Sequence, residues 1–150
     1  MRLSAFILLS AVLCSCTGEK TVSIDEYNTR AVKLPRGQTV RVEVMGDPRD
    51  MARGMMFRDS LAPDRGMLFV YGKPGKYPHW MYQVQIPLDM IWLDKERRIV
   101  EIVPNIPPCP SKSAKECPPV GGHETAITVL ELAAGMAEKY GLRTGNILDY

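Results

Sequence analysis

The segment Thr39-Val-Arg-Val-Glu-Val-Met45 alternates strictly, with Val40, Val42 and Val44 on one side and Arg41 and Glu43 on the other. Successive side chains of a strand point to opposite faces, so this run can bury one face of a β-strand but cannot form the apolar stripe of a helix. Residues 29–34 precede it with Val32 and Leu34 apolar, and Pro35-Arg-Gly37 between the two supplies turn chemistry, so the pair reads as a hairpin. More short runs follow at 66–71, 79–82, 88–93, 98–103 and 125–132, and Ile147 and Leu148 offer a last edge strand. Two short helices interrupt them. One begins at Asp47, a residue able to cap a helix N-terminus, with Pro48 at the first helical position and Asp50 in the first turn, and is expected to stop near Phe57. The other spans 133–140, with Gly141 where a left-handed residue closes a helix. The expected fold is mostly β (α+β): a single-domain β-sandwich or barrel-like sheet of about seven strands with two short helices.

The N-terminus is different in kind. After Arg2, residues 3–13 are apolar apart from Ser4 and Ser10. That length suits a signal-peptide core and falls short of the ~20 residues of a membrane-spanning helix. Leu13-Cys14-Ser15-Cys16 resembles the bacterial lipoprotein cleavage box, with Cys16 as the lipidated residue; Cys14 follows the bulky Leu13 and does not fit. The expectation is a signal peptide at 1–15, lipid on Cys16, a polar tether at 16–28 and one globular domain at 29–150. The mature protein would be exported and anchored in the cell envelope, facing the periplasm or the exterior. Loss of Arg2 leaves 18 basic and 17 acidic residues from the original 19 and 17. So even a charge balance argues against nucleic acid as a partner.

Of four cysteines, Cys14 leaves with the signal and Cys16 takes lipid, so Cys109 and Cys117 remain. They lie eight apart in the Pro-rich stretch 105–122, and in an exported chain such a pair reads as a disulfide closing a long loop. A reactive or metal-binding pair is the alternative, without the CxxC spacing or a second pair that a metal site would use.

Several segments together resemble one family: Arg53-Gly-Met-Met-Phe-Arg58, Arg65-Gly-Met-Leu-Phe69, Trp80-Met81, Ile86-Pro-Leu-Asp89, Pro107-Pro-Cys109 and Val129-Leu-Glu-Leu-Ala-Ala-Gly135. Their order and spacing are similar to the domain-of-unknown-function 192 family of small prokaryotic proteins, from about Val40 to the C-terminus. The resemblance implies a compact β-rich sandwich with short helices and carries no established activity. Met55-Met56 stands where the family often has Leu-Met. Residues 126–128 stand where an aromatic often precedes the Val-Leu-Glu segment.

The resemblance places Arg53, Arg58, Asp89 and Glu131 in motif positions. Asp89 sits between Leu88 and Met90, and Glu131 between Leu130 and Leu132. A carboxylate drawn into apolar surroundings needs a cation, which Arg53 or Arg58 could supply. Three uses of this set are open: an ion-pair network joining helix to sheet, a polar pocket with Trp80 for a small anionic or hydroxylated ligand, or paired carboxylates of a hydrolase. A second constellation is Met55, Met56, Met67, His79, Trp80 and Met81, whose thioethers and imidazole suit Cu(I) but whose methionines equally suit a core. Trp80, Tyr82 and Trp92 could line a sugar-stacking face. No Ser or Cys nucleophile stands in a recognisable setting, and no glycine pattern fits a phosphate or dinucleotide loop, so no cofactor is expected. The leading expectation is a non-enzymatic, lipid-anchored envelope domain that binds a small molecule or an envelope protein, with its site around Arg53, Arg58, Trp80, Asp89 and Glu131.

Overall fold

The computed structural model describes residues 28–150. The expected signal peptide, Cys16 and all of the expected tether but Asn28 lie outside the described residues. Six strands form one sheet: β1 (Thr29–Lys33), β2 (Thr39–Met45), β3 (Arg65–Gly75), β4 (Leu88–Leu93), β5 (Ile99–Ile106) and β6 (Ala126–Ala133). Their spatial order is β1-β2-β3-β6-β4-β5. Neighbours are antiparallel except β2 and β3, which run parallel because α1 (Pro48–Arg53) carries the chain back between them.

The two edges of this sheet do not stay open. Lys33 on β1 exchanges backbone hydrogen bonds with Asp149 (2.8 and 3.2 Å). On the other edge, Ile99 donates to Asn146 O and accepts from Gly145 N–H, and Leu148 donates to Arg97 O. The C-terminal segment expected as an edge strand therefore hooks both edges and draws the sheet into a barrel, which removes unpaired strand edges. Inside, Val32, Val40, Val42, Leu68, Ile91, Leu93, Ile99, Leu130, Leu132 and Leu148 form one buried cluster with residues of α2 (Met136–Lys139). The opposite face of the same strands carries a second cluster, including Met67, Phe69, Met90, Trp92 and Val129, covered by Met55, Met81 and Val84. Alternation along each strand assigns residues to one cluster or the other.

Three elements depart from expectation. The helix from Asp47 is capped as anticipated, with the Asp47 carboxylate accepting from Arg49 N–H at 2.9 Å, but it ends at Arg53. Gly54 takes φ +44°, and a Cβ there would lie 3.1 Å from the Phe69 ring. Glycine lets the chain turn and lets the ring approach. The expected strand at 79–82 is a single bridge, His79 to Val120, because the segment crosses the outer face instead of joining the sheet. The second helix is cut to four residues because β6 runs on to Ala133 and Gly135 turns the chain with φ +82°. Gly141 closes it in the left-handed conformation expected, with φ +66°.

Candidate functional site

The outer face of the barrel is only partly covered. Strand alternation brings Met67, Phe69 and Tyr71 from β3 and Glu131 from β6 onto this face, since Met67 pairs with Glu131 across the sheet. The chain then crosses above them, and His79 is inserted from that crossing. Its backbone is held by both hydrogen bonds of the bridge to Val120 (2.9 and 2.8 Å). The ring packs edge-on against Phe69 and Trp92, with centroids 4.7 and 6.0 Å away.

His79 Nδ1 lies 2.8 Å from Glu131 Oε1, and Nε2 lies 2.7 Å from the Tyr71 hydroxyl. A carboxylate accepts only, so Nδ1 carries the proton and donates it. In the neutral ring Nε2 then accepts, and the Tyr71 O–H donates to it. The His79 and Glu131 side chains are 8% and 4% exposed, so their contact is nearly dry, while Tyr71 is half-buried. Burial, with the Glu131 charge adding to it, pushes the Tyr71 phenol up to about 12. Tyr71 also stacks on Tyr77, with centroids 3.6 Å apart.

Above this polar floor opens a cleft of about 350 Å³. Met51, Met55 and Met56, Pro78 and Trp80, and Cys117 and Pro119 by the disulfide line it. Trp80 is 44% exposed. It leans on Tyr82 at 5.9 Å between centroids. Arg53 stands on the rim, shared with a second, larger groove of about 890 Å³ that also holds Arg41, Arg58 and Arg65. Cys109 and Cys117 are joined as a disulfide, and Cys109 N–H donates to Met81 O at 3.3 Å. The two ends of the pinned loop thus hold the crossing segment on either side of Trp80.

The expected constellation is only partly assembled here. Glu131, Arg53 and Trp80 meet at the cleft. Arg58 sits in the neighbouring groove and is claimed by Glu43, which accepts from both guanidinium nitrogens at 2.6 Å. That bond is the first cause of the raised Arg58 pKa, and the more distant Glu131 charge adds to it. Asp89 is elsewhere. It pairs with Leu132 across the sheet while Met90 pairs with Glu131, so the two carboxylates point to opposite faces. Asp89 is fully buried and accepts from three backbone N–H groups, Asn105 (2.8 Å), Gly135 (3.1 Å) and Ala137 (2.7 Å). It balances its charge with backbone dipoles and needs no arginine. The Asp89–Glu131 pairing on which a hydrolase reading depended is therefore absent, and neither arginine is the counter-ion expected for Asp89.

Trp92 is fully buried, its indole N–H donating to Tyr77 O at 2.8 Å, and so belongs to no sugar face. Of the proposed copper ligands, Met55, Met67 and Met81 are buried in the core, and Met55 and Met56 line the cleft. Both nitrogens of His79 are engaged, which leaves that ring no lone pair for a metal. Among the described residues, no three His, Cys, Asp or Glu side chains converge as a metal site would need. The residue that sequence reasoning passed over is Tyr71. Its signal was a polar-tipped aromatic two residues beyond Phe69, ending an apolar run and therefore on the face of Glu131.

Two solved structures are among those to which the molecule is similar. One is described as a candidate transcription regulator from Sinorhizobium meliloti 1021, with 31% identity, TM-score 0.69, and coverage of 79% of this chain and 89% of that one. The other is a protein of unknown function from Novosphingobium aromaticivorans DSM 12444, with 28% identity, TM-score 0.70, and coverage of 80% and 82%. No curated protein matches. The family model for DUF192, described as "Uncharacterized ACR", matches residues 31–150.

Proposed function

This chain belongs to the DUF192 family, and from the cleft that its fold builds we propose that it is a lipid-anchored envelope domain that binds a small anionic or hydroxylated molecule. The observation that carries the reading is a part-buried Tyr71–His79–Glu131 chain opening into a concave site with apolar walls. Ligand sites commonly combine an apolar lining with a few fixed polar groups. Here Met51, Met56 and Trp80 offer apolar contact, Tyr71 a hydrogen bond, and Arg53 a cation at the mouth. The anchor rests on the cleavage box before Cys16, and export fits the disulfide that braces the site.

Thermal unfolding of the full-length protein in detergent, against a panel of sugars and small carboxylates, tests the reading. A ligand at 100 times its dissociation constant stabilises by about 2.7 kcal/mol. A stabilising compound whose effect disappears in both Trp80→Ala and Arg53→Ala supports the cleft. A flat panel, or a hit indifferent to both changes, rejects it. For the anchor, Cys16→Ala should abolish fatty-acid labelling and release the protein from membranes.

A second reading is favoured by one feature. Phe57 is 54% exposed and held at φ +64°, its N–H donating to Gln83 O at 3.0 Å. An exposed aromatic fixed in an uncommon conformation, in the groove next to the cleft, suits contact with an envelope protein. Phe57→Ser would then lose capture of that partner and leave small-molecule binding unchanged.

A further inference from the structure

The floor of the cleft presents a problem to any anion. Glu131 lines it, and an imidazole without its second proton does not cancel that charge. Tyr71 spends its only O–H on His79 Nε2, so it can show the cleft nothing but lone pairs. A carboxylate arriving beneath Arg53 would meet a negative charge and an acceptor. One proton changes both conditions. With His79 protonated, Nε2–H donates to the Tyr71 oxygen, the Tyr71 O–H is freed to turn toward the cleft, and the His79–Glu131 pair becomes neutral.

We infer that the cleft takes a small organic carboxylate together with one proton, Arg53 holding the anion and Tyr71 donating to it once His79 has been protonated. The inference rests on the cleft being a ligand site and names its ligand class. The balance is complete: solvent supplies the proton to Nε2, no covalent bond of the ligand changes, and the Tyr71 proton stays on Tyr71. A neutral hydroxyl ligand needs no such step, because it donates to the Tyr71 oxygen as it already stands.

The surrounding groups leave this exchange to the three residues. From the segment after α1, Arg58 feels the Glu131 charge but is paired with Glu43 of β2. Arg53 at the end of α1 is the cation of the rim. From the crossing segment, the Tyr77 hydroxyl donates away to Lys73 O at 2.6 Å. The disulfide loop contributes Cys117 and Pro119 to the wall, neither of which titrates. β4 contributes Trp92.

Calorimetric titration of the full-length protein in detergent tests this, with benzoate, phenylacetate and hexanoate as carboxylates and benzyl alcohol as the neutral counterpart. Each is run at several pH values and in buffers of different ionisation enthalpy. The expected result is uptake of close to one proton per carboxylate bound where His79 starts neutral. Affinity there falls about tenfold per pH unit, while benzyl alcohol binds with no uptake. Tyr71→Phe should weaken carboxylate binding about tenfold, in line with loss of a hydrogen bond to a charged group, and leave the Arg53 contact. Glu131→Gln removes the opposing charge and should let carboxylates bind with less pH dependence. Carboxylates that bind without proton uptake overturn the inference, as does benzyl alcohol binding where no carboxylate binds; in both cases the cleft stands as a ligand site. Failure of all four compounds to bind overturns the inference and the cleft reading together.

Discussion

Asp89 and Glu131 are two buried carboxylates on adjacent strands, and their surroundings give them opposite work. Asp89 is a structural anion. It holds the first turn of α2 and the kinked end of β5, where Asn105 sits at φ +53°. Asp89→Asn keeps the shape but replaces one acceptor oxygen with a donor aimed at backbone N–H groups. It should cost about 2–4 kcal/mol, read as a lower urea midpoint, and leave the cleft's ligand affinity nearly unchanged. Glu131 is tied to one partner, a titratable one, at the floor of an open site. Tyr71 reports on that floor. Its phenol is raised, so alkaline titration followed by tyrosinate absorbance should show one tyrosine ionising near pH 12 that is absent from Tyr71→Phe. The linkage sign follows. An unfolded tyrosine ionises near pH ~10, so the stabilisation from a neutral Tyr71 is complete below that pH. It is lost as pH rises toward about 12. The wild-type unfolding free energy should therefore fall more steeply over that window than that of Tyr71→Phe.

At the scale of elements, the cleft is made by segments that are not part of the sheet. The crossing at 77–84 has few backbone bonds of its own and is held by the loop that Cys109 and Cys117 pin together. Val120 fixes His79, Cys109 fixes Met81, and Gly121 lets the loop lie on Trp92, where a Cβ would come within 2.2 Å of the ring. Replacing both cysteines by alanine should cost about 2–3 kcal/mol by the loop-closure argument. The loss should concentrate at the site: amide exchange at residues 79–84 and 118–122 should rise before exchange in β3, β4 and β6 does. Uniform loosening of the whole barrel would contradict that division. The sequence made the loop and its pairing legible through two cysteines and five nearby prolines. It could not show that the loop's task is to seat His79, which Val120 holds from 41 residues further along the chain.

For the whole molecule, the last residues decide whether the sheet is a barrel. Leu148 is 1% exposed and packs inside, while the backbone on either side of it bonds both sheet edges. Leu148→Ala should therefore cost more than ordinary edge-strand truncation, about 2–5 kcal/mol as for a core leucine. It should also increase association at high concentration, because opening the seam exposes two strand edges. An unchanged melting temperature with unchanged sedimentation would show that the barrel closes without it.

Period-two patterning located β2, and short apolar runs between turn residues located β4 and β6 and marked the fold as mostly β, because strand patterning is a local property of an extended chain. Capping at Asp47 and the left-handed Gly141 were legible for the same reason: each depends on atoms a few residues away. Which carboxylate meets which partner was not. Asp89 and Glu131 look alike in sequence, each flanked by apolar residues, and only the register of β4 against β6 turns them to opposite faces. His79 read as a strand residue until Val120, brought close by a distant disulfide, fixed it over the sheet. Local sequence set the elements and their buried faces. The site arose from long-range closure, where strand register and one covalent loop determine which polar atoms share a cavity.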